Sequence, residues 1–203
     1  MHNATADRSA RLRSRLKLLG LLMVFAAPLL VAAVLYAFSD RLPLPRAASN
    51  GELILPPHAI KRFALKTLDG RRLDRGFLRN KWTLLYIGDS RCDLWCEAGL
   101  FKMRQVRLAL GRDQVRVQRL YVLTDTQALP ALRPLLRRHA GLTVAQLRGR
   151  DRKHVLRKFG AHPSGTLFLV DPHGNLMMRY ARRETAKGLQ EDLDHLLEAS
   201  RIG

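Results

Sequence analysis

Trp82 to Gly88, WTLLYIG, is the stretch that most restricts what this chain can become. An apolar, aromatic and β-branched run of that length, closed by glycine, makes a buried strand and is too short for a helix. Asp89 and Ser90 then supply turn chemistry. From about Trp95 the spacing becomes helical, with Leu100, Met103, Val106 and Leu110 recurring every three or four residues until Gly111 ends the helix. Both cysteines of the protein, Cys92 and Cys96, fall at this strand-to-helix junction. The unpaired amides and positive dipole end of the helix there favour a thiolate, a better nucleophile and a better soft-metal ligand than a thiol.

Three residues, Asp93, Leu94 and Trp95, separate the cysteines. A four-residue step on a helix brings both sulfurs to one face. That geometry permits a disulfide, which needs Cα atoms within about 7 Å, and equally a soft ion such as Cu(I) held between two thiolates. A static structural disulfide is the bland alternative, but so short a loop gains little from cross-linking. Asp93, directly after Cys92, opposes thiolate formation.

The chain's other strong signal is at its start. Arg8, Arg11, Arg13, Arg15 and Lys17 precede Leu18 to Phe38, which contains no charged residue. About 20 apolar residues span a bilayer. The competing reading, a cleaved signal peptide, has an apolar core of typically about 7 to 15 residues and a small-residue cleavage site. The sequence therefore predicts a basic cytoplasmic tail (1–17), a single transmembrane anchor (18–38), an extended proline-containing tether (39–57) and a folded domain (58–203). Basic residues before the span hold the N-terminus in the cytoplasm. In a bacterium this puts the chain in the inner membrane with its domain in the periplasm, where two cysteines tend to pair. Within the tether, the alternative is that Leu53 to Leu55 packs as an added edge strand.

In the domain, Phe63 to Thr67 turns at Asp69-Gly70 into Arg71 to Leu73 as a hairpin. Val115 to Leu123 is a second central strand, and Leu129 to His139 is a helix with Pro134 inside it. Asp151 to Phe159 is a short helix capped by Asp151. Thr166 to Val170 and Leu176 to Tyr180 form a last hairpin, and Glu184 to Ser200 closes the chain as a helix with Leu189, Leu193, Leu196 and Leu197 on one face. There is no repeat, Gly-rich phosphate loop, serine nucleophile elbow or paired zinc signature. His58, His139, His154 and His195 read as solvated surface positions, and His173 sits in a tight turn.

The run from Phe63 to Val106, with its Asp69-Gly70 hairpin, Lys81-Trp82 strand entry, Cys92 and Cys96 spacing and Lys102-Met103 helix, resembles the opening of Sco/SenC-type proteins. These are thioredoxin-like copper chaperones of cytochrome c oxidase assembly. VQRLYVLTD (Val117 to Asp125) and FLVDPHGNL (Phe168 to Leu176) resemble the family's next strand and final hairpin. The resemblance implies an α/β fold: a thioredoxin-like domain, its central mixed sheet flanked by helices, behind an N-terminal transmembrane helix. It also implies Cys92 and Cys96 as a redox pair or copper ligands, with His162 as third ligand. Asp93 stands where the family has proline, and an ungapped match puts the third ligand on Pro163, one residue past His162.

Net charge is +19. The basic residues run through every segment with no interleaved aromatic stacking motif, so nucleic acid is not the expected partner. An anionic membrane surface or an acidic partner domain uses such charge better. By resemblance, the partner is a cytochrome oxidase subunit or another oxidase assembly factor. The function implied is copper delivery or thiol maintenance at an oxidase copper site. A metal-independent thiol-disulfide oxidoreductase is the alternative, and a non-catalytic assembly scaffold is the third reading.

Overall fold

A computed structural model describes residues 20, 22–31, 33, 49–60, 64–147, 156–200 and 202. The chain divides into two compact units, Met1–Ala48 and Ser49–Gly203. In the first, residues 22–31 are helical, and Leu22, Met23, Val24, Phe25, Leu29, Leu30 and Val31 are exposed. Among the described residues, no helix is long and apolar enough to cross a membrane. Much of the predicted 18–38 anchor, the 1–17 tail and most of the tether lie outside the described residues.

The second unit is built on one eight-stranded sheet in the order β1-β8-β7-β4-β5-β6-β2-β3. Its strands are β1 (Glu52–Ala59), β2 (Leu65–Thr67), β3 (Arg72–Leu73), β4 (Trp82–Gly88), β5 (Val117–Leu123), β6 (Leu142–Gln146), β7 (Leu167–Val170) and β8 (Asn175–Tyr180). β4, β5 and β6 run parallel, while β7 and β8 on one side and β2 and β3 on the other pair antiparallel. The sheet is therefore mixed. β4 is central and covered on both faces, which explains its unbroken apolar composition. Trp82, Leu84 and Tyr86 point to one side, where the cysteine helix (Leu94–Ala109) and the closing helix (Ala186–Ala199) pack through Leu100, Met103, Val106, Leu189, Leu193 and Leu197. Leu85 and Ile87 point to the other, with Leu65, Leu78, Phe159, Phe168 and Val170.

Several sequence boundaries move. The domain begins earlier than residue 58: β1 pairs antiparallel with β8, so Glu52 to Pro57 belong to the sheet and not to a tether. The edge-strand alternative for Leu53 to Leu55 describes this segment better. Between Leu53 opposite Met178 and His58 opposite Leu176 the register shifts, and Pro56 and Pro57 occupy that irregularity, as proline must at an edge. What holds the entry is Asp192 of the closing helix, whose carboxylate accepts the amides of Asn50 (2.9 Å) and Gly51 (2.8 Å). Gly51 lies flat on Tyr180, where an added Cβ would stand 2.5 Å from the ring.

β5 starts at Val117, two residues later than expected, because Gly111–Arg116 forms a 3-10 turn after the cysteine helix. β6 has no counterpart in the sequence reading. The helix near Pro134 covers Leu129–Arg137, and the final hairpin and closing helix fall within two residues of expectation. Of the Asp151 to Phe159 helix, residues 156–159 are helical, and its cap lies outside the described residues, as does His154.

Candidate functional site

β4 delivers the chain to the site. At its end Gly88 lies against Tyr86, where a Cβ would meet the hydroxyl at 2.7 Å. The turn that follows is pinned from β5's exit: Ser90 donates its hydroxyl to Asp125 (2.5 Å) and accepts the amide of Ala128 (2.8 Å). The Ser90 hydroxyl holds the Asp125 carboxyl below the usual carboxylate range. Cys92 then adopts φ +45°, a left-handed conformation uncommon outside glycine. It turns the backbone so that Asp93 becomes the N-cap of the cysteine helix, its carboxylate accepting the amide of Cys96 at 2.8 Å. The helix thus starts at Leu94, one residue before the expected Trp95.

Asp93 does two jobs. It satisfies a helix-end amide, and it accepts the hydroxyl of Ser164 at 2.6 Å, tying the cysteine turn to the loop before β7. That hydroxyl, with the amides of Cys96 and Trp95, keeps the carboxyl below its ordinary range against a smaller opposing effect of desolvation. The expectation that an acid here only opposes a thiolate misses this structural part. Gly165, φ +85°, completes the contact: a Cβ there would lie 2.9 Å from the Trp95 carbonyl oxygen.

Cys92 and Cys96 are joined in a disulfide, with Cα atoms 5.0 Å apart. Cys92 is 8% exposed and Cys96 1%. The Tyr121 hydroxyl stands 3.6 Å from Cys96 Sγ and donates to the Asp89 carbonyl at 2.5 Å. Tyr121 pairs in register with Tyr86, their rings 5.0 Å apart, and the Tyr86 hydroxyl meets Ser164 at 3.1 Å. Burial raises the pKa of both tyrosines, so they remain neutral donors. Sequence reasoning missed both tyrosines and Ser164. The available signal was a polar-tipped aromatic at matching places in two otherwise apolar strands.

A cavity of about 560 Å³ opens at this end of the sheet, lined by both cysteines together with Tyr86, Arg91, Asp93 and His162. His162 therefore shares the cavity with the sulfurs. Its Nδ1 is 2.9 Å from the Gly160 carbonyl oxygen, its Nε2 3.4 Å from that of Ile87, and its ring stands edge-on to Phe168 at 4.9 Å. Among the described residues, no group of three His, Cys, Asp or Glu is gathered closely enough to hold a metal ion. Elsewhere, His139 is not a surface residue: it is buried, and burial, with Arg119 and Arg104, pushes its pKa down.

Residues 82–200 match the family described as "Transmembrane-like, thioredoxin-like, C-terminal domain". The chain belongs to this family. The match runs from β4, through the cysteine helix, to the closing helix. Solved structures share the fold. Apo Sco1 from Thermus thermophilus is 21% identical with a TM-score of 0.62, over 75% of this chain and 99% of that one. Copper-bound yeast Sco1 is 19% identical with a TM-score of 0.61, over 68% and 92%. The thioredoxin domain of a thiol-disulfide oxidoreductase from Bacteroides vulgatus is 16% identical with a TM-score of 0.56, over 70% and 99%. At these identities the likeness is one of fold, the thioredoxin-like α/β domain expected from sequence. No curated protein matches the chain in sequence.

Proposed function

We propose that this protein is a membrane-tethered assembly factor of a haem-copper oxidase, whose reduced Cys92 and Cys96 carry Cu(I) as cargo to the dithiol copper site of an oxidase subunit. The observation that carries this is the convergence of the chain's two cysteines and His162 on one cavity. Reduction of the disulfide frees two sulfurs at the helix start, Cys92 in the turn before the cap and Cys96 in the first turn. The Gly160 carbonyl oxygen, 2.9 Å from His162 Nδ1, is a backbone partner of the kind that orients a metal-binding histidine, and Nε2 must turn from the Ile87 carbonyl oxygen, 3.4 Å away, to reach the copper. The Sco1 structures with copper bound support cargo of this kind. The apolar 18–38 segment supports a periplasmic domain anchored in a bacterial inner membrane, where donor and acceptor share one surface and weak docking suffices.

Titrating Cu(I) against a competing chelator, with the reduced chain, tests the proposal. His162→Ala is expected to weaken binding about tenfold, or about 1.4 kcal/mol, and Cys92→Ser to weaken it further. No copper binding by the intact dithiol rejects copper delivery, and an unchanged His162→Ala removes the third ligand.

The asymmetry of the pair favours a second reading, a metal-independent thiol-disulfide oxidoreductase. Cys92, the more accessible sulfur, attacks a substrate disulfide to give a mixed disulfide and releases one substrate thiolate. Cys96, beside the Tyr121 hydroxyl, then attacks Cys92, releasing the second thiolate and re-forming the disulfide. Each turnover moves two electrons to the substrate, so a separate dithiol donor must restore the reduced pair. Turnover of a peptide disulfide by the reduced chain, abolished in Cys92→Ser and independent of copper, would establish it.

A further inference from the structure

Leu94, Phe101 and Leu108 are spaced by seven residues, close to two helical turns, and so form one line along the outward face of the cysteine helix. They are 83%, 56% and 50% exposed. Trp95 stands beside Leu94 at the disulfide end, its ring beneath the Arg182 guanidinium at 4.5 Å. A surface helix ordinarily turns charge outward. This one is apolar on both sides, since Cys96, Leu100, Met103 and Val106 fill its inward face.

The chemistry of the covering surface is indicated by the flank. Arg104 and Arg107 lie half-buried along one side of the line. Both depress the pKa of Arg119, a residue of β5 that is buried beneath the cysteine helix and is pushed down to about 10, mainly by burial. Arg119 donates to the Ala140 carbonyl, but among the described residues its Nε and Nη1 have no partner, and neither has Nδ1 of buried His139. Arg138 adds its charge to this group, and Glu97 is the acid that opposes it. Arg104 and Arg107 against the single acid Glu97 thus leave net positive charge along this exposed apolar line. A second copy of a chain carrying +19 would be repelled.

We infer that this face of the cysteine helix docks on an anionic phospholipid surface, with Leu94, Phe101 and Leu108 entering the headgroup-acyl boundary and Arg104 and Arg107 meeting phosphates. The inference rests on the reading of the chain as membrane-tethered. Tethering keeps the domain near the lipid, so three side chains and a basic flank are enough. In this orientation the disulfide end of the helix lies at the membrane surface, within reach of an acceptor embedded there.

The test uses the full chain, with Trp82→Phe leaving Trp95 as the remaining tryptophan, in vesicles with brominated acyl chains. Quenching of Trp95 is expected with phosphatidylglycerol, to be roughly twofold weaker in pure phosphatidylcholine, and to be lost in Phe101→Glu/Leu108→Glu. Near-ultraviolet circular dichroism checks that this variant folds. Equal quenching in both lipids, or quenching that survives the double substitution, overturns the inference. Absence of quenching in phosphatidylglycerol also overturns it, leaving the face to an acidic protein or to the chain's own N-terminal segment. Alkaline extraction of the same vesicles reports the anchor separately, and neither readout involves thiol or copper chemistry.

Discussion

Asp192 and Arg119 are buried almost equally, at 4% and 3% exposure, yet the fold treats the two charges in opposite ways. The Asp192 carboxylate receives the amides of Asn50 and Gly51 and the side-chain amide of Asn50, at 2.8 to 3.2 Å. Among the described residues Arg119 has a carbonyl on one nitrogen and no partner on the other two, and the neighbours on the cysteine helix that act on its charge, Arg104 and Arg107, are of its own sign. A buried charge with a full set of hydrogen bonds locks structure, whereas one without them weakens it. The first closes the β1 edge onto the closing helix. The second sits under the helix that presents the cysteines, so the stabilising and the destabilising charge lie in different parts of one domain.

This contrast can be broken by substitution. The largest expected effect is Asp192→Ala, which strands two amides beneath the closing helix and should cost about 3 kcal/mol in urea unfolding. A cost below about 1 kcal/mol would mean that the β1 entry is not locked by this carboxylate. Gly51→Ala attacks the same lock sterically, pushing a methyl into the Tyr180 ring, and should cost about 2 kcal/mol. Arg119→Met should move the other way: replacing an unpaired buried cation with an apolar chain is expected to be neutral or to stabilise by about 1 kcal/mol. Marked destabilisation there would show that Arg119 has a partner in the working protein.

The smallest effect concerns His139. Burial, followed by Arg119, lowers its pKa in the fold. The unfolded chain therefore takes up the proton first as pH falls. His139's contribution to stability is complete above the ordinary histidine value of about 6.5 and is lost as pH drops through it toward the folded value. A modest fall in stability below that pH, reduced in Arg119→Met, is the expected result. A pH profile that Arg119→Met leaves unchanged would uncouple the two residues.

Residue pattern alone determined the buried strand from Trp82 to Gly88, the cysteine helix and its glycine stop, the final hairpin and the closing helix. It also placed both cysteines at a helix start within bonding reach. These are local matters, decided by spacing, turn chemistry and side-chain shape over a few residues. Only the tertiary structure decided that Glu52 to Pro57 completes the sheet, that LTVAQ at Leu142 to Gln146 is a strand between β5 and β2, and that His139 and Arg119 are buried. It likewise brought Tyr86, Tyr121, Ser164 and His162 around the disulfide and gave Asp93 its cap. A prolyl edge strand and a polar-containing five-residue strand carry too little periodicity to announce themselves. Their partners, β8 for one and β5 and β2 for the other, stand far away in sequence. The burial of a charge or the closing of a cavity depends on that same long-range pairing, which local pattern does not contain.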